Sequence, residues 1–207
     1  MIPKVIHTCW FSKDPNYELS DKVKNCIDSW KKNCPDYEIK VWSISDWRNF
    51  QDYPYAKQCW EAGVASYAYL SNFFRFWVLY NHGGWYIESD MILNKGLDEF
   101  ENETVVLGEI NPGEISGALM GSIKGHDLFK HFISVYSRMS WIKKDHSLEI
   151  YHDSGFNGDE IRKAGYDFPK NIKEKTVIGN VSFFPKNYFF PKWYNNESVS
   201  VHIGSLT

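Results

Sequence analysis

The sequence is short of several things, and each shortage removes a class of function. Its 207 residues include 4 cysteines, Cys9, Cys26, Cys34 and Cys59, and no two of them form a C-x-x-C pair. That spacing argues against a zinc framework. So few cysteines in a chain of this size read as reduced, buried thiols, which suit a cytoplasmic location. Charge of one sign is also scarce. The formal net charge is −3, too small to draw the protein broadly to nucleic acid or to an anionic membrane. Long apolar runs are missing. Met1-Ile2-Pro3-Lys4 has none of the apolar stretch of a secretory signal. The most apolar helical candidate, Val64 to Tyr80, is shorter than the roughly 20 residues a membrane span needs, and it carries Asn72 and Arg75. With no repeat, low-complexity segment or Pro/Gly/Ser-rich linker, residues 1–207 read as one domain without a transmembrane segment.

Aromatics, by contrast, are abundant: 9 Trp, 13 Tyr and 14 Phe make up 17% of the chain. Flat rings suit sugar faces and nucleobases, and they also fill cores; composition alone favours the core.

Patterning divides the chain into alternating strands and helices. Val5 to Trp10 reads as a short buried strand. Asp21 to Lys32 places Val23, Ile27 and Trp30 at helical spacing, and Tyr37 to Trp42 alternates as a second strand. Strand, helix, strand at this spacing is a βαβ unit, which points to an α/β sheet. Val64 to Asn81 predicts a long helix stopped by His82-Gly83-Gly84, and Trp85 to Leu93 a strand. Thr104 to Ile110 and Glu114 to Met120 predict two more strands, and His126 to Met139 a helix. A helix near Gly158 to Ala164 and extended pieces at Val181 to Phe184 and Val199 to Ile203 complete the pattern.

The segment after Gly83-Gly84 carries the chemistry. On a strand, Tyr86, Glu88 and Asp90 share one face, with Trp85, Ile87 and Met91 on the other. Two acids on one face in an apolar setting are costly to bury without a cation, and hard oxygen ligands suit Mg²⁺ or Mn²⁺. The bland alternative is a solvated strand edge or a cap. The preceding helix weighs against it, because Ala65, Ala68, Asn72 and Arg75 fall on one stripe among bulky apolar residues. A buried Arg75 needs an anionic partner. Either it forms a structural salt bridge, with Glu88 as one candidate, or it faces a donor sugar and its phosphates together with Asn72.

The runs Ser71-Asn72-Phe73-Phe74-Arg75 and Leu79-Tyr80-Asn81-His82-Gly83-Gly84-Trp85-Tyr86-Ile87-Glu88-Ser89-Asp90 resemble the sugar-binding D-x-D segment of glycosyltransferase family 32. The opening Ile2-Pro3-Lys4-Val5-Ile6-His7-Thr8-Cys9-Trp10-Phe11, the stretch from Ser29 to Ile39, and Phe184 to Phe189 with Val201-His202 resemble the same family. The resemblance spans nearly the whole chain and is loose from Ile115 to Gly179.

It implies a GT-A fold, a mixed and mostly parallel sheet flanked by helices. It implies a UDP-sugar donor, a carbohydrate acceptor and Mn²⁺ or Mg²⁺. The residues it assigns to the nucleotide-sugar are Thr8, Trp10, Ser71, Asn72, Arg75, Gly84, Tyr86 and Glu88. Trp10 would stack on the base, with Tyr86 close to the nucleoside. Asn72, Arg75 and Glu88 would form the catalytic group, and Asp90, Glu88 and His202 would hold the metal.

Two departures stand out, Asn72 and Glu88, each where the family usually has Asp. The chain also stops shortly after His202, which leaves open whether it is a domain cut from a longer protein. The function implied is transfer of a hexose in polysaccharide or glycan synthesis, with retention at the anomeric carbon. The rival is a catalytically weakened fold that binds a nucleotide-sugar or glycan. A lectin rests on aromatic content alone, and a two-carboxylate glycosidase has no use for the nucleotide pocket implied by the N-terminal motif.

Overall fold

Strand β1 (Val5–Cys9) lies parallel to β2 (Glu38–Trp42), with Val5 opposite Glu38 and Cys9 opposite Trp42. Helix α1 (Asp21–Asn33) joins them, capped by Ser20, whose hydroxyl accepts from the Val23 amide at 3.4 Å. This is the expected βαβ unit. The computed structural model describes residues 1–12, 14, 16–63, 66–143, 145–148, 153–191 and 198–203.

Helices α2 (Pro54–Ala62) and α3 (Tyr67–His82) follow a 3-10 turn at Ile44–Asn49. α3 ends where the sequence predicts. Its expected first residues, Val64 and Ala65, lie outside the described residues.

Gly84 then opens β3 (Gly84–Ile87), which pairs parallel with β1. Its φ is +88°, and a Cβ there would sit 2.6 Å from the Val5 carbonyl oxygen. Glycine is thus required by the close approach of β1.

The remaining strands and helices are β4 (Met91–Leu93), β5 (Val105–Asn111), β6 (Glu114–Ser122), α4 (Asp127–Arg138), α5 (Asp153–Lys163), β7 (Thr176–Ile178), β8 (Val181–Phe184), α6 (Lys186–Phe189) and β9 (Ser200–His202). The main sheet runs β2-β1-β3-β6-β5-β8-β7. β1, β2, β3, β5 and β8 point one way, and β6 and β7 the other. The sheet is therefore mixed and mostly parallel, as expected.

Each face of the sheet carries its own core. One holds Trp42, Phe73, Phe74, Tyr86, Leu107, Met120 and Phe132; the other holds Ile6, Trp30, Trp85, Ile87, Val106, Leu119 and Phe184. Most of the aromatic surplus is spent here: Trp30, Trp42, Trp85, Phe73 and Phe76 are fully buried. All four cysteines are free and buried. No described helix is long and apolar enough to cross a membrane.

Two expectations fail: the helix expected near Gly158 to Ala164 begins earlier, as α5 (Asp153–Lys163), and the strand after Gly84 is broken. Trp85 to Leu93 is not a single strand: β3 stops at Ile87, and β4 belongs to a separate two-stranded sheet with β9. Glu88, Ser89 and Asp90 form the turn between them, closed by the Met91 amide on the Glu88 carbonyl at 3.0 Å. Tyr86, Glu88 and Asp90 therefore do not share a strand face. The alternation of apolar residues runs across the turn because both flanking strands are buried, so periodicity alone gives no sign of the break.

Candidate active site at the end of β3

The turn after β3 is held from three sides. The Glu88 amide donates to the Ala118 carbonyl on β6 at 2.9 Å. From α1, the Trp30 indole donates to the Met91 carbonyl at 2.8 Å. The Leu93 amide donates to the Ser29 hydroxyl at 3.0 Å, and the Asn33 amide group to the Leu93 carbonyl at 2.9 Å. From the far end of the chain, β9 aligns His202 with Met91, and the Ile203 amide donates to the Asp90 carbonyl at 3.0 Å. The amphipathic face of α1 and the closing strand thus fix the backbone on which the two acids sit.

Two clusters meet at Glu88. In the first, His202 Nε2 lies 3.1 Å from Asp90 Oδ1 and 3.7 Å from Glu88 Oε2. One ligand atom from each of Glu88, Asp90 and His202 falls within 4.8 Å of the others. Two hard carboxylate oxygens and an imidazole nitrogen at that spacing fit a divalent cation such as Mn²⁺ or Mg²⁺. A hydrogen bond links His202 Nε2 and Asp90 Oδ1. The hydrogen bond to Asp90 holds His202 above the usual histidine range against the opposing effect of burial. Burial pushes Asp90 up, but the His202 hydrogen bond and charge outweigh it and leave Asp90 low. Burial raises Glu88, opposed by the charge of Arg75.

The second cluster surrounds Arg75, whose side chain is 2% exposed. Its Nη2 donates to Glu88 Oε1 at 2.8 Å and to Asn72 Oδ1 at 2.6 Å, and its Nη1 to Asp153 Oδ2 at 2.9 Å. Its Nε donates to the Ser71 carbonyl at 3.4 Å. Burial lowers the guanidinium's pKa, but Asp153 and Glu88 more than offset this, so it stays charged. Room for it comes from β6, where a Cβ on Gly117 would lie 1.5 Å from Nη1. The salt bridge weighed for Arg75 is present, and it involves the same Glu88 that lies beside His202. Three carboxylates, Glu88, Asp90 and Asp153, stand against one guanidinium and a histidine. The excess of negative charge is what a divalent cation would neutralise.

Among the predicted residues, Asn72, Arg75 and Glu88 come together, as do Glu88, Asp90 and His202. Tyr86 is buried, with its ring 5.3 Å from the Arg75 guanidinium and its hydroxyl 3.7 Å from Cys9 Sγ. Thr8 is buried at the end of β1, and among the described residues its hydroxyl has no hydrogen-bond partner. Trp10 is half-buried against the second core, its amide on the Trp42 carbonyl. The Ser71 hydroxyl donates to the Ala68 carbonyl at 2.6 Å. Among the described residues no side-chain hydrogen bond links Thr8, Trp10 or Ser71 to the carboxylates. Asp153 and Gly117 complete the cluster beyond the residues the sequence points to. Both lie in the loosely matching stretch, and no local pattern marks either one.

Residues 20–107 match the family described as glycosyltransferase sugar-binding region containing DXD motif. The chain is 30% identical over 215 residues to inositol phosphoceramide mannosyltransferase 2 of Schizosaccharomyces pombe, covering 96% of this chain and 60% of that protein. It is 28% identical over 159 residues to inositol phosphoceramide mannosyltransferase 3 of the same yeast, covering 74% of this chain and 42% of that one. The chain thus spans about half the length of these relatives. In fold it is similar to the PaToxG glycosyltransferase, with a TM-score of 0.55 at 19% identity over 80% of this chain and 69% of that one. It is also similar to a glycosyltransferase involved in glycosylation of the major capsid of PBCV-1, with a TM-score of 0.51 at 11% identity over 97% and 94%.

Proposed function

We propose that this chain, which is similar to glycosyltransferases in sequence and has a GT-A-like fold, transfers a hexose from a UDP-sugar to a carbohydrate acceptor, with retention. The observation that carries the reading is the convergence of Glu88, Asp90 and His202 within 4.8 Å, tied through Glu88 to the buried Arg75. These three side chains would hold Mn²⁺ or Mg²⁺, which when bound supplies positive charge to the departing diphosphate.

The chain's own residues do the rest. Arg75 and Asn72 orient the donor sugar, with Glu88 fixing the guanidinium from the metal side. Trp10 receives the base at the end of β1, and Tyr86 packs beside Arg75. Thr8 and Ser71 shape the backbone around the donor, whereas Gly84, at the start of β3 against Val5, serves the packing of β3 on β1 rather than the donor. Because the charge that forms on the leaving group meets a preorganised cluster, most of the acceleration is electrostatic. Residues 1–207 act as one catalytic domain, and the free thiols suit a cytoplasmic location.

The mannosyl relatives favour mannose as the hexose, so the donor screen includes GDP-mannose beside the UDP-hexoses. The test is Mn²⁺-dependent donor hydrolysis and transfer by the wild type and by Asp90→Ala. We expect D90A to lose about a hundredfold or more, and wild-type rates in D90A would sink the assignment. Nucleotide binding with no turnover under any metal would instead favour the weakened, binding-only reading suggested by Asn72 and Glu88.

A further inference from the structure

Arg75 is neutralised from two directions, and one of them comes from outside the segment that matches the family. Glu88 reaches it from the turn after β3, within residues 20–107. Asp153 reaches it from the first turn of α5, 78 positions along the chain, at 2.9 Å. Asn72 contacts the same guanidinium at 2.6 Å through an amide oxygen and brings no charge.

We propose that Asp153 is the positioning residue that sets Arg75 for the donor sugar, carrying at position 153 the negative charge that the amide of Asn72 does not supply. This rests on the transferase reading above.

Three observations support it. First, the contact is built: Gly117 leaves the space in which Nη1 meets Asp153, and a Cβ there would also lie 2.9 Å from Asp153 Oδ2. Second, the backing is buried. Asn157, fully enclosed one turn along α5, donates to the Ile115 carbonyl at 3.1 Å and approaches Asp153 Oδ2 at 3.5 Å. Third, the cluster is not closed on itself. Asp153 Oδ1 and Asn157 Oδ1 are buried without a hydrogen-bond partner among the described residues. Of the five N–H groups of Arg75, four have acceptors. Buried polar atoms usually have partners, so these oxygens leave acceptor capacity beside the guanidinium.

The electrostatics explain why Asn72 is neutral. With Glu88 and Asp153 already on one guanidinium and Asp90 beside Glu88, a carboxylate at position 72 would add like-charge repulsion. The neutral amide keeps the hydrogen bond and avoids that cost. The arrangement therefore makes a specific claim: the charge can be moved. A carboxylate at 72 reaches the same Nη2, so Asn72→Asp should compensate for Asp153→Asn.

The experiment is calorimetric titration with Mn²⁺ present, using UDP and GDP as bare nucleotides and UDP-glucose, UDP-galactose and GDP-mannose as sugar nucleotides. For D153N we expect the affinity ratio between the preferred sugar nucleotide and its bare nucleotide to fall at least tenfold, with bare nucleotide binding unchanged within twofold. In N72D/D153N the ratio should return to within threefold of wild type. Equal weakening of bare and sugar nucleotides in D153N would make Asp153 merely structural and overturn the proposal. Failure of the double variant to recover, in a protein that melts like wild type, would also overturn it. If D153N does not fold, the charge-conserving N72D/D153N decides alone on the same threefold and tenfold limits. A wild type that binds no nucleotide would bring down the transferase reading first, and a wild type that binds normally leaves any failure to Asp153.

Discussion

Gly117 and Arg75 compete for one volume: a methyl group built on Gly117 would lie 1.5 Å from Nη1 and 2.6 Å from Cζ of the guanidinium. Gly117 is on β6, while Arg75 is on α3, and the absence of a side chain on one is the condition for burying the other. Gly117→Ala must therefore expel the guanidinium from between Glu88 and Asp153. Removing one partner from a buried ion pair costs roughly 3–5 kcal/mol, and urea unfolding of G117A should show a loss of about that size together with lost donor turnover. Wild-type stability in G117A would mean that Arg75 has another place to go.

How far the site was legible in the sequence follows from where each residue sits. Asn72, Arg75, Glu88 and Asp90 lie on or beside two elements with strong patterns, the long apolar helix and the glycine-led strand, and the family resemblance named them together with His202. The strands β1, β2, β5 and β6 and the helices α1, α3 and α4 were readable because their buried faces follow the periods of 2 and 3.6. The sequence pattern puts α5 too late. Its sequence Asp153-Ser154-Gly155-Phe156-Asn157-Gly158 has two glycines and little apolar content, so the helix is set by packing on β6 rather than by its own pattern. That displacement hid Asp153. α2 was missed although Pro54 sits at its first turn, a usable start signal. The break between β3 and β4 had no local signal. It depends on β9 arriving from the end of the chain to pair with β4.

The three-residue cation cluster predicts a graded effect of losing its nitrogen. His202 is brought to Asp90 by β9 and lies 3.1 Å from its carboxylate. His202→Ala leaves both carboxylates in place and removes one donor. Mn²⁺ binding, followed by the disappearance of the free-ion paramagnetic resonance signal, should weaken at least about tenfold, with the melting temperature of the metal-free protein little changed. An unchanged Mn²⁺ affinity would take His202 out of the ligand set and leave it a partner of Asp90 only.

The cysteines yield a simple chemical test of the fold. Burial pushes the Cys9 and Cys59 thiols up to about 12, and those of Cys26 and Cys34 to about 11. Thiolate is the reactive form, so at pH 8 all four are suppressed both by protonation and by lack of access. A thiol reagent such as Ellman's should release colour from all four cysteines in urea and from essentially none in the native protein. Rapid native labelling of Cys9 would be the informative failure. It lies beside the Tyr86 hydroxyl under Arg75, and its exposure would mean that this part of the site opens readily.

His7 contributes one part of the response of stability to acid. Its ring is buried on β1, where Nε2 donates to the Gly83 carbonyl at 3.1 Å and Nδ1 accepts from the Trp42 indole at 3.1 Å. A second proton would turn that acceptor into a donor facing an N–H, and His82 and Lys40 nearby add unfavourable charge. Burial is the largest cause, and together with that charge it lowers the His7 pKa from 6.5 to about 4. The unfolded chain therefore binds the extra proton first, between pH 6.5 and about 4. Stability from this residue is complete above pH 6.5 and declines as the pH falls towards 4, by about 3 kcal/mol at most. Urea unfolding of wild type and His7→Gln at several pH values isolates the effect, because titrations elsewhere cancel in the difference. H7Q should be the less stable protein at pH 7.5, where it lacks the imidazole's fit between Gly83 and Trp42, and the gap should narrow towards pH 4. A gap that stays constant over that range would show that the neutral ring is not what links β1 to the end of α3.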